Sequence, residues 1–387
     1  MTPDTLAVHA GRDPARHAGT VNMPVYRAST ICFSDMAALE HARANPDTEI
    51  SYAIYGTPNV RALQDAVAAM EGGHRALAVP SGLAAISAAI LAFAGPGDHI
   101  LVADTVYGPT RRFCDVAARR LGIETTYYDP MADDIAAMVR PATRLIYAES
   151  PGSFTFEVQD IPALAAVAHR AGIPLLLDNS WGTPVHFASF AHGVDVSIHA
   201  ATKYIAGHSD VMLGIVVANE RFYPALREHA TLHGLCASPD DCYLALRGFR
   251  TIVPRLRQQS ASALRIAQWL RGHLAVDEVL YPALPGAPGH DLWRRDFTGA
   301  ASLFSVVLHT RSEAVVRAMV DHMGLFALGA SWGGYESLIF PGYPGPVRTV
   351  RPWQRGQVLR LHVGLEDPDE LMADLDAGFR RLLACRD

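Results

Sequence analysis

Asp178 closes the apolar run Leu175-Leu176-Leu177, and Lys203 follows a second short run, Asp195 to His199, in the segment Ser197-Ile198-His199-Ala200-Ala201-Thr202-Lys203-Tyr204. Open α/β sheets bind ligands beyond the carboxyl ends of their strands. Two strands ending at one edge would therefore bring a carboxylate and an amine to opposite ends of one bound molecule. A lysine that forms a Schiff base and a carboxylate that pairs with a pyridinium nitrogen are the two groups that pyridoxal phosphate chemistry demands of a protein. Taken alone, the pair also fits a solvated lysine and an ordinary strand-end carboxylate. Val79-Pro80-Ser81-Gly82-Leu83 ends a strand and opens a helix, which offers free backbone N–H groups and the positive end of a helix dipole to a phosphate. A plain Ser N-cap with a packing glycine fits the same residues. Tyr107, in Asp104-Thr105-Val106-Tyr107-Gly108-Pro109, could stack on a planar ring or be an ordinary half-buried tyrosine.

Other chemistries lack their signatures. The 387 residues contain no GxxxxGK[ST], no GxGxxG after a strand and no HExxH, so the P-loop, dinucleotide-binding and zincin readings fall away. The 17 histidines are scattered and do not form a metal site, and the five cysteines (Cys32, Cys114, Cys236, Cys242 and Cys385) form no CxxC pair. They are expected to be reduced, buried thiols rather than a disulfide frame. A net charge of -6 argues against nucleic acid as a partner. The longest uncharged apolar run, Leu83 to Ala94, is too short to span a membrane and reads as a buried helix. With no basic and then apolar leader, and with Asp4 and Asp13 near its start, the chain is expected in the cytoplasm.

These candidates need a scaffold, and the chain supplies one. From about Arg75 to Asn219, β-rich runs alternate with helical patterns: 76–79 before a helix from Gly82, 99–103 before one around 111–121, 144–148 before one over 161–170, then 175–178 and 195–199. Such alternation predicts βαβ crossovers and a mostly parallel sheet covered by helices on both faces. After Gly248 an amphipathic stretch, 251–270, leads through the Pro/Gly-rich 281–290 to separated strands at 303–308 and 358–363, which reads as a smaller α+β domain. The first fifty residues have weak periodicity and read as an arm that packs on a second subunit. The expected division is an arm over 1–50, a cofactor-binding α/β domain over 51–248 and an α+β domain over 249–387.

Taken together, DNSW (178–181), HAATKYIAGHSD (199–210), SGLAAI (81–86), ESPGSFTFEV (149–158), RDFTGAASLFS (294–305), SWGGYESL (331–338) and LRLHVGLED (359–367) resemble the cystathionine β-lyase branch of the Cys/Met-metabolism pyridoxal-phosphate enzymes. The likeness is collinear from near Thr20 to the last helix. It implies a fold type I, aspartate aminotransferase-like α/β architecture with a seven-stranded sheet. It also implies a homotetramer of two dimers that share active sites. By match to the family pattern, Lys203 would carry the Schiff base and act catalytically with Tyr107, Asp178 would pair with the pyridine nitrogen, and Tyr107 would stack on the ring. Ser81, Gly82, Leu83 and Thr202 would bind the phosphate, and Tyr52 would reach the phosphate of a neighbouring subunit. Arg360, Ser331, Trp332 and Tyr107 would bind substrate; a planar guanidinium suits an amino-acid carboxylate.

Two positions depart from the pattern. The family's YxRxxxP signature places an arginine where this chain has Ile54, and the nearest downstream cation is Arg61. The position before Ser331, which is Glu in γ-specific members and Tyr in typical β-lyases, is Ala330. The expected activity is β-cleavage of cystathionine to homocysteine, pyruvate and ammonia. The rivals are γ-elimination or γ-replacement on an O-acylhomoserine, cystathionine or a related amino acid, and a non-catalytic binding module on the same fold.

Overall fold

The computed structural model describes residues 1–132 and 134–385. Seven strands build the larger sheet: β1 (Arg75–Val79), β2 (His99–Ala103), β3 (Glu124–Tyr128), β4 (Thr143–Glu149), β5 (Leu175–Asp178), β6 (Val196–His199) and β7 (Gly214–Ala218). Their spatial order is β1-β7-β6-β5-β4-β2-β3. Strands β2 to β6 run parallel, and β7 is antiparallel to both its neighbours. Every residue of β2, β5, β6 and β7 is buried, as expected for strands with both faces covered. Edge strand β3 is Thr- and Tyr-rich and half exposed. The mostly parallel α/β sheet expected from the sequence is present, with β3 and β7 as additions to the strands expected from sequence.

Five further strands form a second sheet: β8 (Val276–Leu280), β9 (Leu303–Leu308), β10 (Ala327–Leu328), β11 (Leu338–Gly342) and β12 (Val358–His362). The order is β10-β11-β12-β9-β8, antiparallel except for β10 with β11. The helix Ile252–Leu270 precedes this sheet and Pro368–Ala384 follows it. Trp181 links the two halves, donating its indole N–H to Leu303 O at 2.9 Å.

The N-terminal segment differs in part from the expected arm. Its first helix, Pro3–His9, folds back on its own chain: Ala7 is buried, and Arg250 donates to the carbonyls of Ala7 and Ala10 at 2.9 and 2.7 Å. The buried Ala7 faces that contact, and Gly11 abuts the Ala62 backbone so tightly that a Cβ there would collide with it. Residues 18–31 are mainly exposed. The cysteines also depart from expectation. All five are free, but only Cys114 and Cys242 are buried, while Cys32, Cys236 and Cys385 are exposed. No helix among the described residues is long and apolar enough to cross a membrane.

Candidate active site

The parallel register fixes the heart of the site. Asp178, the last residue of β5, pairs with Ile198 of β6 on one side and with Glu149, the last residue of β4, on the other. Two carboxylates thus end adjacent strands. Burial first, and then the charge of Asp178, pushes the Glu149 carboxyl well above the usual carboxylate range. Its Oε2 accepts the backbone N–H of Tyr107 at 2.6 Å and so pins the turn that carries the phenol. Asp178 is also raised by burial, an effect opposed by hydrogen bonds from Ser180, whose backbone N–H lies 3.0 Å from Oδ1. Beside it, Asn179 donates to the fully buried Glu71, which also accepts from Ser197 at 2.6 Å and contacts the His199 imidazole. Glu149 was not singled out as a site residue from sequence. The signal was available, because it ends its apolar strand just as Asp178 does.

Lys203 sits in the loop after β6. Its Nζ donates to Ser331 Oγ at 2.8 Å and lies 5.2 Å from the centre of the Trp332 ring. Gly333, at φ +86°, runs so close beneath this loop that a Cβ would fall 2.8 Å from Tyr204 N. Glycine alone therefore lets the Ser331–Trp332 turn reach the lysine. Burial first, and then the neighbouring Arg360 charge, lowers the Lys203 ammonium from the ordinary lysine value to about 8. Arg360, in the middle of β12, is 6% exposed, and its Nη2 donates to Ala330 O at 2.7 Å. Burial lowers its guanidinium to about 10. Among the described residues no carboxylate ion-pairs with either cation. A buried guanidinium without an anion is uncommon unless a ligand completes it.

The residues expected at a phosphate are arranged unevenly. Ser81 caps the helix Gly82–Leu91, its Oγ accepting Ala84 N–H at 3.1 Å. The amides of Gly82 and Leu83 are the first of that helix and have no carbonyl one turn back to bond. A Cβ on Gly82 would lie 2.8 Å from Ala200 Cβ, so the missing side chain brings the helix end against the Lys203 loop. The Thr202 hydroxyl, by contrast, donates to Leu213 O at 3.1 Å and accepts Leu213 N–H at 2.9 Å. In this arrangement its one proton is given to that carbonyl. Tyr52 lies outside the cluster, bridged to Thr30 and 47% exposed. Ile54, in the turn Ala53–Tyr55, lines a cavity of about 900 Å³ with Arg61 and residues of the N-terminal segment. Arg61 does not stand in for the missing arginine. Its guanidinium donates to the carbonyls of Asp47, Pro46 and Glu49 at 2.6, 2.8 and 2.9 Å.

This donor set suits pyridoxal phosphate. Asp178 is a buried carboxylate with no cation of its own among the described residues, which a protonated ring nitrogen would supply. Lys203 is a lysine whose lowered value leaves about a tenth of it as free amine at neutral pH. Two free helix amides can receive the phosphate, and Tyr107 stands half exposed at the mouth.

Comparison with known proteins agrees with the geometry. The model of the family described as Cys/Met metabolism PLP-dependent enzyme matches residues 4–380. The cystathionine beta-lyase MetC of Escherichia coli (strain K12) is 43% identical over 390 residues, covering 98% of this chain and 98% of that protein. The L-alanine/L-glutamate racemase of Wolbachia pipientis wMel is 40% identical over 396 residues, covering 99% and 98%. Among solved structures, the cystathionine gamma synthase from Xanthomonas oryzae pv. oryzae in complex with aminoacrylate and cysteine superposes with a TM-score of 0.91 at 32% identity, covering 99% of both chains.

Proposed function

The chain belongs to the Cys/Met-metabolism PLP-dependent enzymes, and within that family we propose that it is a carbon–sulfur β-lyase converting cystathionine and water to homocysteine, pyruvate and ammonia. One observation carries the reading. Arg360 bonds Ala330 O and Lys203 bonds Ser331 Oγ, so two cations without ion-pair partners are tied to adjacent residues of one turn. That arrangement can grip an α-carboxylate while an amine stands beside the carbon that bears it.

Bound pyridoxal phosphate supplies an electron sink for the pair left when the Cα proton departs. Asp178 would hold the ring nitrogen in its protonated form, and Tyr107 would stack on the ring. Arg360 orients the substrate carboxylate through two parallel N–H donors. Lys203 Nζ, lowered to about 8 so that a fraction of it is free amine at neutral pH, takes the Cα proton. Ser331 Oγ accepts from that amine and aims it. With Ala330 in place of a carboxylate, the site carries no second acidic base at the position that marks γ chemistry in the resemblance. Supporting β-cleavage are the name of the Escherichia coli relative and the likeness to the β-lyase branch. We further read the protein as a cytoplasmic homo-oligomer in which Tyr52 serves a neighbouring subunit.

A product assay tests the reaction. Purified holoprotein given L-cystathionine should release pyruvate and homocysteine in equal amounts. Formation of 2-oxobutyrate instead would establish γ-cleavage, and conversion of L-alanine to D-alanine without cystathionine turnover would favour the racemase chemistry named for the Wolbachia relative.

A further inference from the structure

Phe154 has a backbone that a phenylalanine seldom accepts. Its φ is +65°, in the left-handed region where Cβ crowds the backbone, and Phe156 follows at +57°. Such a residue persists only where its surroundings over-determine it. Here they do. Ser153 N–H donates to Thr105 O at 2.8 Å, Gly152 N–H to Glu157 O at 2.9 Å and Phe156 N–H to Gly152 O at 3.0 Å. The buried Arg348 reaches across from the smaller domain to Glu157 at 2.8 Å and also bonds Thr155. Opposite the ring stands Gly342, where a Cβ would run into Phe154. A locked loop and a missing side chain thus combine to hold one ring in one place.

That place is beside Arg360. The guanidinium carbon lies 5.0 Å from the centre of the Phe154 ring and 5.2 Å from that of Phe340, its neighbour on β11, and the two rings are 6.1 Å apart. Three nearly equal distances make a triangle, so the guanidinium sits in the corner between two rings rather than sandwiched by them. Both contacts fall within the range of cation–π attraction. One ring comes from each domain, so the corner also joins the strand carrying Arg360 to the loop that follows Glu149.

We propose that Phe154, together with Phe340, is a positioning residue for substrate: the aromatic corner holds the Arg360 guanidinium in the pose that receives the α-carboxylate. The proposal rests on Arg360 being the carboxylate clamp. Without the ring the arginine regains rotamers that binding must freeze out again, which weakens carboxylate binding by roughly two- to tenfold.

The test is equilibrium binding to the holoprotein, read from the cofactor absorbance, with two probes: glycine, which carries an α-carboxylate and no leaving group, and methylamine, which lacks the carboxylate. Phe154→Leu should weaken glycine by roughly two- to tenfold and leave methylamine unchanged. Phe154→Tyr, which keeps the ring, should match the parent. Phe340→Leu, on a regular strand, should act in the same direction and carries the test if Phe154→Leu does not fold. Unchanged glycine affinity in the leucine variants, or equal loss for both probes, overturns the proposal. Arg360→Ala separates the premises. If it too leaves glycine binding intact, the clamp reading fails; if it weakens glycine while the leucine variants do not, the aromatic corner alone is wrong.

Discussion

Lys203 and Arg360 are two like charges in one largely dry site, and the consequence for Lys203 is a shift that can be followed in solution. Burial is the larger cause and the Arg360 charge the next, and together they bring the amine to about 8 against some opposition from Asp178. Only the unprotonated amine attacks an aldehyde. Capture of added pyridoxal phosphate by cofactor-stripped protein should therefore quicken with pH and level off above about 8, whereas an ordinary lysine would keep gaining to about 10.4. A nearby positive charge disfavours the ammonium, so its removal must raise the value. Arg360→Ala should move the inflection upward. Stopped-flow absorbance across pH on both proteins checks this, and an unmoved inflection would show that Arg360 does not sense the amine. Glu149, raised by burial and by Asp178, stays protonated further up the pH scale than a surface glutamate while it holds the Tyr107 turn.

Between elements, the strongest tie near the site is the one that docks residues 349–351 onto the turn after β2. Asp104, 2% exposed, accepts backbone N–H groups from Thr349, Val350 and Arg351 at 3.1, 3.2 and 3.2 Å and the Arg111 guanidinium at 2.7 Å. Burial alone would raise its carboxyl; the Arg111 bond and the amides outweigh that and hold it below the usual range. Asp104→Asn takes from the buried Arg111 the nearer of its two anions, leaving only the half-exposed Asp115 at 3.8 Å from Nε, and should destabilise the protein by about 3 kcal/mol. Replacing Asp104 and Arg111 together by leucine should not recover that loss, because the three backbone N–H groups of 349–351 then have no acceptor. Chemical denaturation of both variants decides it, and an unaltered midpoint for Asp104→Asn would show the tie to be dispensable. Nothing in the sequence pointed to Asp104, Phe154 or Phe340, because each acts through a distance between elements far apart in the chain. Strands β2 and β5 were legible because full burial writes itself as a nearly unbroken apolar run, although the equally apolar β7 was passed over. Strand β3 was not, since half-exposed edge residues can be Thr and Tyr. Lys203, Asp178 and Arg360 were legible because their side-chain chemistry is scarce in such settings, whereas the committed state of the Thr202 hydroxyl depends on Leu213 lying opposite, which no spacing rule reveals.

At the scale of the whole molecule the unusual feature is Ile54, where the family resemblance expects an arginine that reaches a neighbouring subunit's cofactor phosphate. Within one protomer Ile54 is 37% exposed and lines a cavity that includes neither Lys203 nor Ala330. Arg61 is tied to three carbonyls and cannot turn to replace the missing charge without releasing the 46–49 segment. If the active sites are shared between protomers, the phosphate is left with the Gly82 and Leu83 amides and the partner's tyrosine hydroxyl. Neither adds a cation, and the Thr202 hydroxyl is engaged elsewhere. A bond to Lys203 would hold the cofactor in the resting protein but would have to open for substrate, and retention would then rest on the phosphate contacts. Ile54→Arg should therefore slow cofactor loss during turnover and tighten its apparent affinity, by up to about tenfold if about 1.4 kcal/mol is gained. The alternative is that Ile54 and Ala330, each smaller and less polar than the family residue, meet across the subunit boundary as an enlarged substrate pocket. The arginine would then raise KM for bulky substrates and leave cofactor affinity alone. Cofactor dissociation and KM measured on the same variant distinguish the two, and no change in either would show that position 54 faces neither a cofactor nor a substrate in the assembled protein.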